Sequence, residues 1–270
     1  MALDIPSLDD RYQAACQIAR EAARRGMAYY RQRDSLVVEH KAGNRQDLVS
    51  LADQALETYI RSELSARFPD DGLLGEEHGA ESLNARCLWV IDPIDGTACF
   101  LNGLPSWCVS IGLLVDGEPV IGAVADPNQD ELFHACRGRG AFVNDLRIGV
   151  SAASSLTDGL TGVGTFHPQG KEHFIPFLQR LLAEGGMFIR NGSAALMTAY
   201  VAAGRLIGYH ETHVKSWDCL AGLVLVREAG GLTNDFLANG GLLAGNPYLV
   251  ACPGVYSQLA TLIGPGLQGH

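Results

Sequence analysis

Two aspartates three residues apart dominate the chemistry open to this chain, in the run Trp89-Val90-Ile91-Asp92-Pro93-Ile94-Asp95-Gly96-Thr97. The apolar stretch from Leu88 to Ile91 has the composition of a buried strand; Pro93 is expected to stop that strand, and Gly96 to permit a tight turn. Carboxylates crowded at a strand end repel one another unless cations neutralise them, so the segment suits hard divalent metal ions. Other acids fall at expected element boundaries. Asp47 precedes a helix, Glu76 sits in Gly75-Glu76-Glu77, and Asp218 lies in Trp217-Asp218-Cys219-Leu220-Ala221-Gly222. At the last position, in the first turn of an apolar helix, the helix dipole favours a carboxylate. Singly, each could be an ordinary cap or turn acid. Together, Glu76, Asp92, Asp95 and Asp218 carry about four negative charges and a phosphomonoester about two more, which roughly two to three Mg²⁺ ions would balance.

Competing chemistries have less support. The seven cysteines (16, 87, 99, 108, 136, 219 and 252) are odd in number, scattered and without Cys-x-x-Cys spacing, so reduced, mostly buried thiols are expected. Neither Cys99 nor any serine has an evident histidine base, which argues against a covalent nucleophile. The eight histidines lack metal-like spacing. His210 and His213 bracket Glu211 and are expected in a solvated loop. Gly138-Arg139-Gly140 and Asn239-Gly240-Gly241 lack the strand-to-helix setting of a dinucleotide site and are expected to be turns.

The elements that must position these acids are legible in outline. Helical spacing runs through residues 8–32 (Tyr12, Ala15, Cys16, Ala19, Ala22, Ala23, Met27), and a second helix entered through Asp47-Leu48-Val49-Ser50 carries the stripe Leu51, Ala55, Leu56, Tyr59, Ile60, Leu64. Leu73 to Glu77 reads as a short strand and an acidic turn. Strand-like runs at 109–115 and 120–124 flank Asp116-Gly117-Glu118, a strong hairpin signal, and 131–135 and 141–143 add further strands. Beyond Ser151 to Ser155, strands and helices alternate: 160–163, helix 171–184, 187–189, helix 194–203, 206–209, helix 217–229, 248–252 and helix 255–263. The expectation is an α/β protein, an α+β N-terminal lobe (about 1–150) followed by a layered α/β C-terminal lobe (about 151–270), within one continuous domain spanning 1–270.

Hydrophobic residues make up 47% of the chain and charged residues 19%, as in compact globular proteins. A formal net charge of −10 argues against nucleic acid or anionic membrane as a default partner, and metal ions must mediate if the ligand is itself a phosphate. No apolar run approaches the ~20 residues of a membrane span. The N-terminal Met-Ala-Leu-Asp stretch lacks the basic and apolar regions of a secretion signal, so a cytoplasmic protein is expected.

Asp47-Leu-Val-Ser-Leu-Ala-Asp53, Gly75-Glu76-Glu77, Trp89 to Thr97 and Trp217 to Gly222, in this order, resemble the inositol monophosphatase superfamily of Mg²⁺-dependent, lithium-sensitive phosphatases. The resemblance implies a sugar-phosphatase-like αβαβα sandwich. It implies that Glu76, Asp92 and the Ile94 carbonyl bind one metal ion and that Asp92, Asp95 and Asp218 bind a second, with Glu76 helping to hold a third; Mn²⁺ would substitute for Mg²⁺. Gly96 and Thr97 would offer backbone N–H groups to phosphate at a helix N-terminus. Asp47 and the Thr97 hydroxyl would orient the attacking water. Glu211, seven residues before Asp218, matches the acid with which the inositol-acting branch holds a substrate hydroxyl, and Ser193 and Ala194 match a substrate-contacting turn whose other reading is a plain N-cap. Lys41 would lie near the metal-bound water.

Two departures divide the substrate assignment. Ala98-Cys99-Phe100 stands where the inositol-acting branch has Thr-Asn-Phe, and Trp107 resembles the histidinol-phosphate phosphatases of the superfamily, whereas Trp217-Asp218 favours the inositol-acting branch. Inositol 1-phosphate is the leading substrate and histidinol phosphate the alternative. A regulatory binding protein on the transcription machinery is the rival of another class, which exposed basic residues around Arg137 and Arg139 would favour. The family also implies a homodimer.

Overall fold

The computed structural model describes residues 8–32, 38–40, 48–165 and 171–267. Helix α1 (Leu8–Arg31) is followed by a two-stranded ribbon, β1 (Val38–His40) and β2 (Leu48–Ser50), and by helix α2 (Leu51–Arg67). The chain then builds β3 (Gly72–Gly75), β4 (Gly79–Glu81), β5 (Cys87–Asp95), the short helix α3 (Thr97–Leu101), β6 (Cys108–Val115), β7 (Glu118–Asp126), β8 (Glu131–Cys136), β9 (Ala141–Val143) and β10 (Leu146–Ile148). These form an eight-stranded sheet ordered β10-β9-β8-β7-β6-β5-β3-β4, antiparallel except for the β3–β5 pair. A second, five-stranded sheet, β12-β11-β13-β15-β14, comes from β11 (Leu160–Gly164), α4 (Lys171–Ala183), β12 (Met187–Ile189), α5 (Ala194–Ala202), β13 (Gly208–Val214), α6 (Ser216–Glu228), β14 (Leu232–Thr233), α7 (Gly241–Ala244), β15 (Asn246–Ala251) and α8 (Pro253–Ile263).

Five layers result. Helices α1 and α2 cover the outer face of the large sheet, α5 and α6 fill the space between the sheets, and α4 and α8 cover the far face of the small one. This is the αβαβα sandwich expected from the sequence. Middle-layer helices must be apolar on every side, and α6 complies: Cys219 to Val226 are all buried. Gly122 lets α6 approach the large sheet, because a Cβ there would lie 2.2 Å from the Ala221 carbonyl oxygen.

The segment leading into the second helix is strand at 48–50, and α2 starts at Leu51, where the expected stripe begins. Two local expectations are corrected. The buried face of α2 is Ala52, Asp53, Leu56, Glu57, Ile60 and Leu64, while Leu51 and Ala55 are exposed, so the packed stripe includes two acids that the apolar pattern passed over. Pro93 does not stop β5. The strand continues to Asp95 with a bulge, since Asp92 pairs with Ser110 and Asp95 with Cys108, leaving one extra residue on the β5 side. A bulge is where a proline, lacking an N–H, is tolerated inside a sheet.

His210 is also corrected. It lies in β13 rather than a solvated loop, is 1% exposed, bonds the Tyr248 carbonyl through Nδ1 at 2.9 Å and meets the Phe177 ring edge-on. Burial pushes its pKa down from 6.5 to about 4. The unfolded chain therefore takes up a proton that the folded protein refuses, and stability falls as pH drops from 6.5 towards 4. We expect His210→Gln to flatten that acid limb by about 1.4 kcal/mol per pH unit in urea unfolding; identical slopes for the two proteins would refute it.

Candidate active site

Residues three apart on a regular strand point to opposite faces. The extra residue at the β5 bulge cancels that alternation and turns Asp92 and Asp95 to the same side. Asp218 arrives from the first turn of α6, and carboxylate oxygens of Asp92, Asp95 and Asp218 lie within 4.8 Å of one another. At about 5 Å and an effective dielectric of about 20, each ionised pair costs roughly 3 kcal/mol, more than one hydrogen bond returns. Burial, reinforced by Glu76, Asp95 and Asp218, raises the pKa of Asp92 well above the carboxylate range. Asp218 is raised likewise by burial and then by Asp95 and Glu76, and Asp95 is raised chiefly by burial.

Backbone donors hold the three side chains in place. Asp92 accepts from Ile94 N–H at 3.0 Å, and Asp218 reaches back to Lys215 N–H at 2.9 Å. Asp95 receives the start of α5: the Ser193 hydroxyl and Ala195 N–H donate to one oxygen, the latter at 2.7 Å, and Ala194 N–H approaches the other at 3.4 Å. These acids line a cavity of about 160 Å³ together with Glu76, Ile94, Gly96, Thr97, Arg190, Ser193, Ala194, Tyr209 and Glu211.

Asp47 and Lys41 lie outside the described residues. Thr97 donates its hydroxyl to the Ile94 carbonyl at 3.0 Å. Gly96 takes φ 95°, and α3 behind it is only five residues long, so its dipole adds little and the anion-binding capacity rests on individual N–H groups. Ser193 is buried and caps α5, accepting from Leu196 N–H at 3.2 Å while donating to Asp95. Glu211 is in strand β13, and the Tyr209 hydroxyl, two residues away on the same face, donates to it; burial raises Glu211 to about 7. Cys99 is turned away, its thiol donating to the Asn191 carbonyl at 3.2 Å and its pKa raised by burial. Trp107 is a core residue packed on Phe100 and Tyr30.

Three further residues belong to the site beyond those the sequence singles out. Arg190 and Tyr209 line the cavity. Asp53, 1% exposed, is close enough for its charge to raise the proton affinity of Asp92. Its signal was available: Asp53 and Glu57 are four apart, flanking Leu56 and Ile60 on one helical face, an unusual place for two acids.

Residues 7–265 match the model described as the inositol monophosphatase family. The chain belongs to the inositol monophosphatase family. It is 44% identical over 209 residues to an inositol-1-monophosphatase of Mesorhizobium japonicum, covering 74% of this chain and 79% of that one. A Nus factor SuhB of Pasteurella multocida is 38% identical, with 94% and 96% covered. The crystal structure of the extragenic suppressor protein SuhB from Bartonella henselae superposes with a TM-score of 0.88 at 35% identity, covering 95% and 99%. Family membership makes the chain a phosphoric monoester hydrolase. Inositol monophosphatases are generally metal-dependent, and the crowded oxygens of Asp92, Asp95 and Asp218 fit a hard divalent cation, which would remove their mutual repulsion. Among the described residues, no helix is long and apolar enough to cross a membrane.

If the fold holds these acids against their repulsion, removing one charge should stabilise the metal-free family member. Asp92→Asn keeps the acceptor for Ile94 N–H and is expected to raise unfolding stability in EDTA by about 1–2 kcal/mol, an advantage lost in excess Mg²⁺. Lower stability than wild type in EDTA would contradict it.

Proposed function

We propose that the protein is a Mg²⁺-dependent phosphomonoesterase acting on a small polyol phosphate, with inositol 1-phosphate the leading substrate. The observation that carries this reading is that one cavity gathers both the acid cluster and the Tyr209–Glu211 pair, a cation-binding wall and a hydroxyl-binding wall. The inositol-1-monophosphatase relatives support the same substrate class. Mg²⁺, held by Glu76, Asp92, the Ile94 carbonyl, Asp95 and Asp218, would polarise the phosphoryl oxygens and lower the pKa of water. Mn²⁺ has the same oxygen preference and would substitute, and lithium would compete for the Asp92, Asp95 and Asp218 oxygens.

The chain's own groups position and orient. Gly96 and Thr97 N–H groups take the phosphoryl oxygens. The Thr97 hydroxyl and a buried carboxylate orient the attacking water in line with the leaving oxygen. Among the described residues Asp53 fits that part, and Asp47 retains it by resemblance alone. Glu211 accepts from a substrate hydroxyl, which recognises a polyol over an aryl leaving group. No enzyme nucleophile is needed, and the buried Cys99 thiol is unsuited to be one.

The alternatives have less support. Trp107, the feature that favoured histidinol phosphate, is fully buried in the core and does not line the cavity. The relatives named Nus factor SuhB favour a second reading, regulatory binding to the transcription machinery. Arg137 and Arg139, whose exposure supports it, are both exposed, although each pairs at the surface with an acid, Glu118 and Asp9 respectively.

A panel of inositol, histidinol and sugar phosphates assayed with Mg²⁺ tests the substrate; turnover of none of them would overturn the proposal. Asp53→Asn is expected to lower kcat at least ~100-fold with the fold intact by circular dichroism. The same loss in Asp47→Asn and none in Asp53→Asn would return the water-orienting part to Asp47. Glu211→Ala should raise KM for the polyol phosphate at least ~10-fold while sparing an aryl phosphate, and equal effects on both would remove Glu211 from recognition.

A further inference from the structure

We propose that Glu57, outside the cavity, is a positioning residue for Glu76, fixing the backbone of the turn that presents this acid to the metal ion. The inference rests on the reading of Glu76 as a ligand. Glu57 is 0% exposed in α2, yet its carboxylate is directed at the β3–β4 turn. One oxygen accepts from Glu77 N–H at 2.6 Å; the other accepts from His78 N–H at 3.2 Å and from Arg61 Nε at 2.7 Å. On the other side, Glu76 N–H bonds the Ile91 carbonyl at 3.3 Å. The Glu76 peptide is thus pinned before and after by different elements, and Glu76 itself lines the cavity.

Gly75 completes the device. A Cβ there would lie 2.0 Å from Glu57 Oε1 and 2.5 Å from its Cδ, so the carboxylate occupies the space a side chain would need. Arg61 closes the other flank, with its guanidinium also on the Gly79 carbonyl, and balances the Glu57 charge. Glu57 is therefore engaged by two backbone N–H groups and a guanidinium, and it does not line the cavity. Supports of this kind around metal-facing groups typically alter affinity 10–100-fold when lost.

The test is Mn²⁺ binding to substrate-free protein, followed by electron paramagnetic resonance well below the melting temperature. Glu57→Gln turns one acceptor oxygen into an N–H donor facing other donors, and the Mn²⁺ Kd should rise at least ~10-fold while kcat at saturating Mn²⁺ changes less than ~3-fold. Leu64→Ala, buried in the same helix, serves as the stability control and should bind Mn²⁺ as wild type does. An unchanged Kd in Glu57→Gln, or an equal rise in Leu64→Ala, overturns the proposal. If Glu57→Gln does not fold, Arg61→Gln, which releases the same carboxylate, is read by the same criteria. Glu76→Gln in the same titration separates the two claims: no loss of affinity there would refute the ligand reading itself, whereas a loss there with none in Glu57→Gln would refute only the positioning role.

Discussion

Mutual repulsion among buried carboxylates is the constraint around which this molecule is organised. Asp92, Asp95 and Asp218 are brought within 4.8 Å of one another from two elements, and Glu76 adds its field from a third. Such a cluster persists only because each member is anchored by backbone donors and because large apolar layers on both sides of the main sheet make the surrounding fold expensive to deform. The strain is local and the stabilisation is distributed. That division leaves a standing demand for positive charge at one point in the molecule, which is the physical content of a metal-dependent phosphatase site.

The geometry depends on how strand β5 handles a proline. Were the strand regular, Asp92 and Asp95 would face opposite sides of the sheet, one in the inter-sheet layer and one under α1 and α2. The bulge at Pro93 and Ile94 puts both on one side and hands Asp95 to the amides at the start of α5. Gly122 and the buried apolar run Cys219 to Val226 of α6 then set how closely Asp218 can approach. Each of these features is ordinary in isolation; the site comes from their coincidence at one strand end.

Much of this was legible in the chain. The hairpin through Asp116-Gly117, the alternation of strands and helices after residue 155 and the acids at element ends are local signals, and local signals survive in a single sequence. What escaped was set by packing between distant segments. Asp53 and Glu57 fall outside an apolar stripe by residue type alone, yet α2 buries them with Leu56 and Ile60 on one face. His210 read as loop because its neighbours Glu211 and Thr212 are polar, yet β13 runs between β11 and β15 and buries it. Pro93 read as a stop because its tolerance in a bulge depends on the partner strand, which the local sequence does not display.

Helix α5 gives the arrangement a further meaning. Its first residues grip Asp95, while its body packs against β13, the strand that carries Tyr209 and Glu211. On the proposed function, the strand that would recognise the substrate hydroxyl is thus mechanically yoked to the acids that would hold cations. A change of substrate that displaced α5 or β13 would then disturb Asp95 as well, whereas a change at Arg190, exposed where it lines the cavity, would leave that shared rod in place.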